Sequence, residues 1–382
     1  GEVWEVAAWI RTRLVEERML SFMLSIPSLQ MPPVSPTGTP NRLWEWRGYQ
    51  VRYQALGEEQ DGPAVLLVHG LFVNADHWRH NLPALAEAGF RAYSIDLLGY
   101  GYSDKPASTD PAASAASGES GRQLGAPVHQ IGSASGEVLP PRPVPLAHPV
   151  EGSVYNFYTW AEQLADFTRQ IIGAEGTALV ANSIGSISAL QAAVDEPALF
   201  GGVFIVNPNF REAHEAEQPE LLRPLTVPLL NAVQGGLRKY GQPIFDALAN
   251  PSTVKTILKE PYADAEQVTD ELVDVLLTPL LLPGAADVVF DTLSYSAGPL
   301  PEPLLEDERL QAPVQICFGE ADPWTPPARV RALERFNSVR SVTGLPGVGH
   351  CPHDEAPELV NPMIVDFVLK CSLGVEARAE AA

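Results

Sequence analysis

Ser183, Asp322 and His350, met in that order along the chain, are residue types that together perform acyl transfer when a fold brings them into contact. A serine hydroxyl is a poor nucleophile near neutrality, so it needs an imidazole to take its proton and a carboxylate to orient that imidazole. Ser183 stands in Thr177-Ala-Leu-Val-Ala-Asn-Ser183-Ile-Gly185-Ser, an apolar run that breaks at a turn and resumes as a helix-like stretch through Ala189, Leu190, Ala192 and Ala193. A serine on such a strand-to-helix turn is held in a strained backbone that lifts Oγ off the sheet, and small residues two places either side permit it. Ala181 and Gly185 occupy those places.

His350 lies in Gly347-Val-Gly-His-Cys, where a loop with two glycines can carry an imidazole over the serine; His353 is its competitor and reads as a loop or helix-cap residue. Asp322 follows the strand-like Val314 to Phe318 within Gly-Glu-Ala-Asp-Pro-Trp. An Asp that merely caps the next turn is the plainer reading there, and Glu320 is the nearest rival. Acyl transfer further needs two backbone N–H groups aimed at the developing oxyanion. Ile184, directly after the serine, supplies one, and Leu71, directly after His69-Gly70, the other, with Phe72 as its neighbouring candidate. His69 itself precedes the serine and so stands in the wrong order for the base. Each short motif is modest alone; in this order, each at the end of a strand-like run, they are specific together.

The elements that must position these residues alternate. Gly48 to Leu56 reads as an early strand, Ala64 to Gly70 as a strand buried on both faces, His77 to Ala88 as a helix and Arg91 to Leu98 as a strand, with Tyr155 to Ile172 helical. This implies βαβ units in a mostly parallel, doubly wound α/β sheet. After Gly202 to Asn207 the alternation is lost until Pro313 to Gly319, and the stretch between, 208–300, reads as a helical cap over the strand ends. The core is therefore expected over 42–207 and 301–382, closing on a strand ahead of His350 and a helix from about Glu355 to Lys370. Residues 106–152, rich in Ala, Ser, Gly and Pro, read as a disordered surface insert. In 1–41, Glu2 to Ile26 reads as a helix docked on the body or lying on a membrane surface, followed by a Pro-rich linker from Met31 to Pro40.

The 382 residues carry a net charge of −22, which argues against nucleic acid and against simple adhesion to anionic lipid. Three scattered cysteines, Cys317, Cys351 and Cys371, make no disulfide framework and point to a reducing compartment. Cys351-Pro-His353 lacks further ligands at metal spacing, so no metal site is expected. No run is long enough to span a membrane, and no signal peptide is visible. The chain opens on Gly1 without Met, as a fragment or a processed form would.

These residues resemble one branch of the α/β-hydrolases. Trp44-Glu-Trp-Arg-Gly-Tyr-Gln-Val-Arg-Tyr, Asp76-His-Trp-Arg, Tyr93-Ser-Ile-Asp-Leu-Leu-Gly-Tyr-Gly-Tyr-Ser-Asp-Lys-Pro106, Asn182-Ser-Ile-Gly and Gly349-His-Cys-Pro-His-Asp-Glu look like the chloroplast chlorophyll dephytylase group, relatives of pheophytinase. The likeness runs from about Arg42 to Leu369 apart from the insert; Ala181 stands where the usual elbow has its first glycine, and Ser186 where a second is common. The resemblance implies removal of phytol from chlorophyll or a close derivative, with no cofactor and with magnesium arriving inside the substrate. It also implies a plastid location, with the helix over Glu2 to Ile26 as a thylakoid contact. Apolar cap stretches such as Leu225-Thr-Val-Pro-Leu-Leu and Leu276-Leu-Thr-Pro-Leu-Leu-Leu would wall a site for an isoprenoid chain, or simply pack the cap onto the sheet. Serine at the elbow argues against dehalogenase or epoxide hydrolase chemistry, since those relatives place an Asp there. Two alternatives stay open: an esterase or lipase for another hydrophobic ester, and a ligand-binding protein on this fold whose triad is idle.

Overall fold

Eight strands form one sheet in the order β1-β2-β4-β3-β5-β6-β7-β8. They are β1 (Asn41–Trp46), β2 (Tyr49–Leu56), β3 (Ala64–Val68), β4 (Arg91–Ile95), β5 (Thr177–Ser183), β6 (Phe200–Pro208), β7 (Val314–Gly319) and β8 (Val339–Leu345). The β1–β2 and β2–β4 pairs are antiparallel and the remaining pairs parallel, so the sheet is mostly parallel. The computed structural model describes residues 30–114, 136–138, 144–211, 214–218 and 222–381, with side chains as far as Leu373. The compact unit carrying the sheet is Pro33–Ala382.

The helices follow as α1 (Leu82–Glu87), α2 (Phe157–Phe167) and α3 (Gly185–Asp195). Between β6 and β7 come α4 (Arg223–Tyr240), α5 (Gln242–Leu248), α6 (Pro251–Leu258), α7 (Asp270–Leu280), α8 (Ala285–Leu293) and α9 (Pro301–Glu306). The last are α10 (Pro327–Arg331), α11 (Pro352–Glu355) and α12 (Pro357–Ala381). Why the central strands are continuously apolar is visible in how their side chains divide. In β5, Leu179 and Ala181 join one apolar cluster while Ala178 and Val180 join the other; β3 splits Leu66 and Val68 from Val65 and Leu67 in the same way. Helices cover both faces, so neither set of alternate side chains meets water, and each fully buried Leu or Val contributes about 1.5–3 kcal/mol.

Three expectations change. Strand β1, not foreseen, adds an antiparallel edge in register with β2 from Asn41↔Gln54 to Trp46↔Tyr49. The Pro-rich stretch is not a free linker: Ser35 and Thr39 are buried, and Ser35 Oγ donates to Asp76 Oδ1 across 2.6 Å. The insert is ordered at both ends, because Ala113, Val144 and His148 are buried and Pro145 O accepts the Gly298 N–H at 2.9 Å. Its residues 115–135 and 139–143, and the helix read over Glu2 to Ile26, lie outside the described residues. Among the described residues no single helix is long and apolar enough to cross a membrane; the α7–α8 pair, bent by 95°, passes by length and composition only, and several of its apolar residues are buried.

Candidate active site

Ser183 ends β5 and Ile184 caps α3. The Ser183 φ of 52° is a left-handed conformation that a residue with a Cβ adopts under strain, so the surroundings must impose it. They do so through two glycines. A Cβ on Gly185 would lie 2.4 Å from the His69 carbonyl, and one on Gly70 would lie 2.7 Å from Asn182 Oδ1 and 3.2 Å from Ser183 Cβ. The turn after β3 and the turn after β5 can therefore touch only because both positions lack side chains. Ser186 Oγ, where a glycine is common, closes the elbow by donating to Ser183 O at 2.5 Å.

Asp322, beyond β7, and His350, beyond β8, meet at 2.7 Å through His350 Nδ1 and Asp322 Oδ2. With Nδ1–H committed to the carboxylate, Nε2 is left as the basic nitrogen. Burial pushes the Asp322 carboxyl up, but the His350 ring, the Trp324 N–H and the Asn207 amide outweigh it and hold the group below its ordinary 3.8. Trp324 N donates to Asp322 Oδ1 at 2.8 Å, and its half-exposed ring lies 4.8 Å from the His350 ring. Asn182 Nδ2, on the residue before the serine, donates to His350 O at 3.4 Å, tying the elbow to the histidine loop. The Ser183 hydroxyl makes no hydrogen bond among the described residues; catalytic hydrogen bonds commonly tighten only when substrate binds.

Among the described residues, neither Leu71 N nor Ile184 N donates a hydrogen bond. Both amides are thus unspent, as oxyanion donors must be. Phe72, with φ of 58°, turns the chain immediately after Leu71. That loop is pinned from below by Arg52, which is fully buried and reaches Asp76 at 2.7 Å and Asp96 at 3.1 Å. Asp96 Oδ1 in turn accepts the Ala75 N–H at 2.7 Å. His69 belongs to the frame: Nδ1 donates to Gly70 O at 2.8 Å while Nε2 accepts the Leu97 N–H at 3.0 Å, fixing a neutral tautomer.

The cap contributes a strap, Pro261 to Ala263, laid against the histidine loop. Pro261 O accepts the His350 N–H at 2.7 Å, and Glu355 takes Gly349 N–H on one oxygen and Ala263 N–H on the other, each at 3.0 Å. Tyr262 between them donates to Asp354 Oδ2 at 2.8 Å. Its hydroxyl proton being spent, His77 Nε2–H must donate to the Tyr262 oxygen (2.9 Å), and His353 Nε2–H to His77 Nδ1 (3.1 Å). Burial, and then neighbouring positive groups, hold both histidines well below 6.5.

A narrow cleft lies between the cap and this end of the sheet, lined by Phe72, Tyr100, Lys105, Leu276, Val288 and Val289 among others. Lys105 Nζ donates to Gly101 O at 2.7 Å and Ser103 O at 3.0 Å, and burial brings its pKa down to about 8.

The fold thus brings Asp322 and His350 into contact and sets them beside the elbow. It removes their rivals: Glu320 pairs with Arg331, and His353 points to His77. Sequence reasoning missed Asn207, whose Nδ2 donates to Asp322 Oδ2 at 2.7 Å, and the Glu355 bridge, since both depend on contacts between distant strand ends. An asparagine closing the apolar strand beside β5 is the one signal that pointed to the former.

The sequence matches the Alpha/beta hydrolase family over residues 65–362. It is 26% identical over 340 residues to the chloroplastic pheophytinase of Arabidopsis thaliana, covering 85% of this chain and 65% of that protein. It is 51% identical over 66 residues to epoxide hydrolase B of Mycobacterium tuberculosis, covering 17% of this chain and 18% of that one. The chain therefore spans less than two thirds of either curated relative. A serine hydrolase involved in carbazole degradation, the CarC enzyme, shares the fold with a TM-score of 0.60 at 15% identity, over 87% of this chain and 99% of that one.

Proposed function

Since the chain belongs to the alpha/beta hydrolase family, we propose that it is a serine hydrolase cleaving carboxylic esters, and that its ester is the phytyl ester of chlorophyll or a close derivative. The observation that carries the ester reading is the 2.7 Å contact of His350 with Asp322 beside a serine held at φ 52°. Ser183 Oγ attacks the ester carbonyl as His350 Nε2 takes its proton, and the tetrahedral oxyanion is held by the Leu71 and Ile184 N–H groups. His350 then protonates the departing alcohol, leaving an acyl-Ser183. Water, deprotonated by His350, attacks that acyl group, and the serine recovers its proton as the acid leaves. Asp322 remains ionised throughout and stabilises the imidazolium.

The phytyl choice is supported by the resemblance of the motifs around the site and by the likeness to pheophytinase over 85% of this chain; that relative's chloroplast location is carried over with it. Burying a twenty-carbon chain at ~0.8 kcal/mol per carbon is a gross gain of ~16 kcal/mol before ordering costs. The cleft lined by Phe72, Leu276, Val288 and Val289 supplies apolar surface for part of such a chain. The same apolar lining suits a second reading, an esterase for another apolar ester. Incubation with purified chlorophyll a, followed by chromatography, tests the first: wild type is expected to release chlorophyllide and Ser183→Ala none. Equal product from both contradicts it, and fast turnover of short esters with chlorophyll untouched selects the second.

A further inference from the structure

The helices α4 to α6 bury almost nothing of themselves: Gln234 is the only buried residue in the three. Eight of the fifteen exposed large hydrophobic side chains among the described residues fall within 222–257. On α4, Leu225, Leu229 and Val233 follow one another at every fourth position with Tyr240 a further seven on, so they share one helical face. Leu225 is 75% exposed and Leu229 66%, while the opposite face holds Gln234, whose amide donates to Leu293 O at 3.1 Å. The stripe therefore points away from the body, and Ile244 and Leu248 of α5 add to the exposed apolar surface. Isolated exposed leucines need no explanation, but a row of them on one helix face marks an interaction surface.

Charge identifies the occupant. In a chain of net charge −22, α4 carries Arg223, Arg238 and Lys239 and no acid, and the exposed Lys259 follows α6; Asp246 lies on α5, Lys255 is paired with Asp270 at 2.5 Å, and Glu220 and Glu260 bound the segment. Basic residues beside an exposed apolar face complement an interface whose headgroups are negative and whose interior is apolar. We propose that α4 to α6 form a membrane-docking surface that lies on an anionic lipid bilayer, with the α4 stripe inserted at headgroup depth. This revises the inference from total charge, because the helix that carries the apolar stripe holds basic residues and no acid. It stands on exposure and charge and does not depend on which ester the enzyme cleaves.

The test is co-sedimentation of the full chain with vesicles of phosphatidylcholine alone and with phosphatidylglycerol added. Wild type is expected to bind the anionic vesicles, less so as salt is raised. Leu225→Asp/Leu229→Asp is expected to lose binding while keeping its melting temperature and its turnover of a short soluble ester. Lys239→Gln/Lys259→Gln is expected to weaken binding by about thirtyfold, from roughly 1 kcal/mol per basic residue near the surface. Absence of binding in wild type, or undiminished binding of the Leu pair variant, overturns the proposal. So does equal affinity for both vesicle types, and so does a concentration-dependent dimer that the same Leu substitutions abolish without any vesicle binding.

Discussion

Asn207 donates its side-chain amide to Asp322 Oδ2 across 2.7 Å, and that oxygen is the one His350 Nδ1 reaches. Asn207 ends the apolar part of β6 with φ of 50°, and its own Oδ1 is held by the Gly319 N–H at 3.0 Å. The amide is fixed at both ends and sets the rotamer of the carboxylate. Hydrogen bonds to charged groups are worth about 1.5–3 kcal/mol, so Asn207→Ala is expected to lower kcat on a short ester by about 10- to 100-fold with KM little changed. An unchanged kcat in a folded variant contradicts this role.

Gly185→Ala places a methyl 2.4 Å from the His69 carbonyl and 2.8 Å from the Val68 carbonyl, both backbone atoms that cannot swing aside. The two turns must separate, at a cost of about 2–4 kcal/mol. Urea denaturation is expected to show a lower midpoint together with loss of ester turnover. A wild-type midpoint would mean that the turns are not packed as described.

Arg52→Met leaves Asp76 and Asp96 buried without their cation. Removing one partner of a buried ion pair costs about 3–5 kcal/mol, and here the loop before Asp76 carries Leu71. Stability and turnover are both expected to fall, and a triple replacement of Arg52, Asp76 and Asp96 by apolar residues is expected to recover more stability than activity. Thermal denaturation alongside ester kinetics separates the two effects.

His69, His77, His148 and His353 are buried, and burial holds each below its ordinary 6.5, His148 down to about 3. Below 6.5 the unfolded chain takes up protons that the folded chain refuses. The stability these groups contribute is complete above 6.5 and is lost as pH falls toward their folded-state values, at up to ~1.4 kcal/mol per pH unit for each group. Melting temperature is expected to decline from about pH 6.5 downward. His148→Gln isolates one histidine from Asp354 and Glu355, whose burial-raised carboxyls act in the opposite sense. Its decline is expected to be shallower than that of wild type, and parallel slopes contradict the assignment.

What the sequence revealed is what local rules govern. An apolar run ending in Asn-Ser-Ile-Gly can hardly be other than a strand meeting a helix, and the order of Ser183, Asp322 and His350 follows from where the other apolar runs end. Contacts between distant segments were not legible. Glu355 is one of many acids until the fold brings Ala263 to it, and Arg52 sits in an alternating strand where nothing local says it is buried between two carboxylates. The ends of the 106–152 segment misled for the same reason: their composition suggests disorder, but the His148 ring packs 4.5 Å from that of Tyr295 in the distant 294–300 loop. Composition describes what a segment could bury by itself, not what other segments bring to it.

The central claim is that Ser183 is the nucleophile and that His350 activates it. Treatment with a fluorophosphonate probe, followed by peptide mass spectrometry, tests it most directly. A single adduct on the peptide carrying Ser183 is expected, absent in Ser183→Ala and formed at least about a hundredfold more slowly in His350→Ala. A folded wild-type protein that takes up no probe, or takes it up on another serine, contradicts the account.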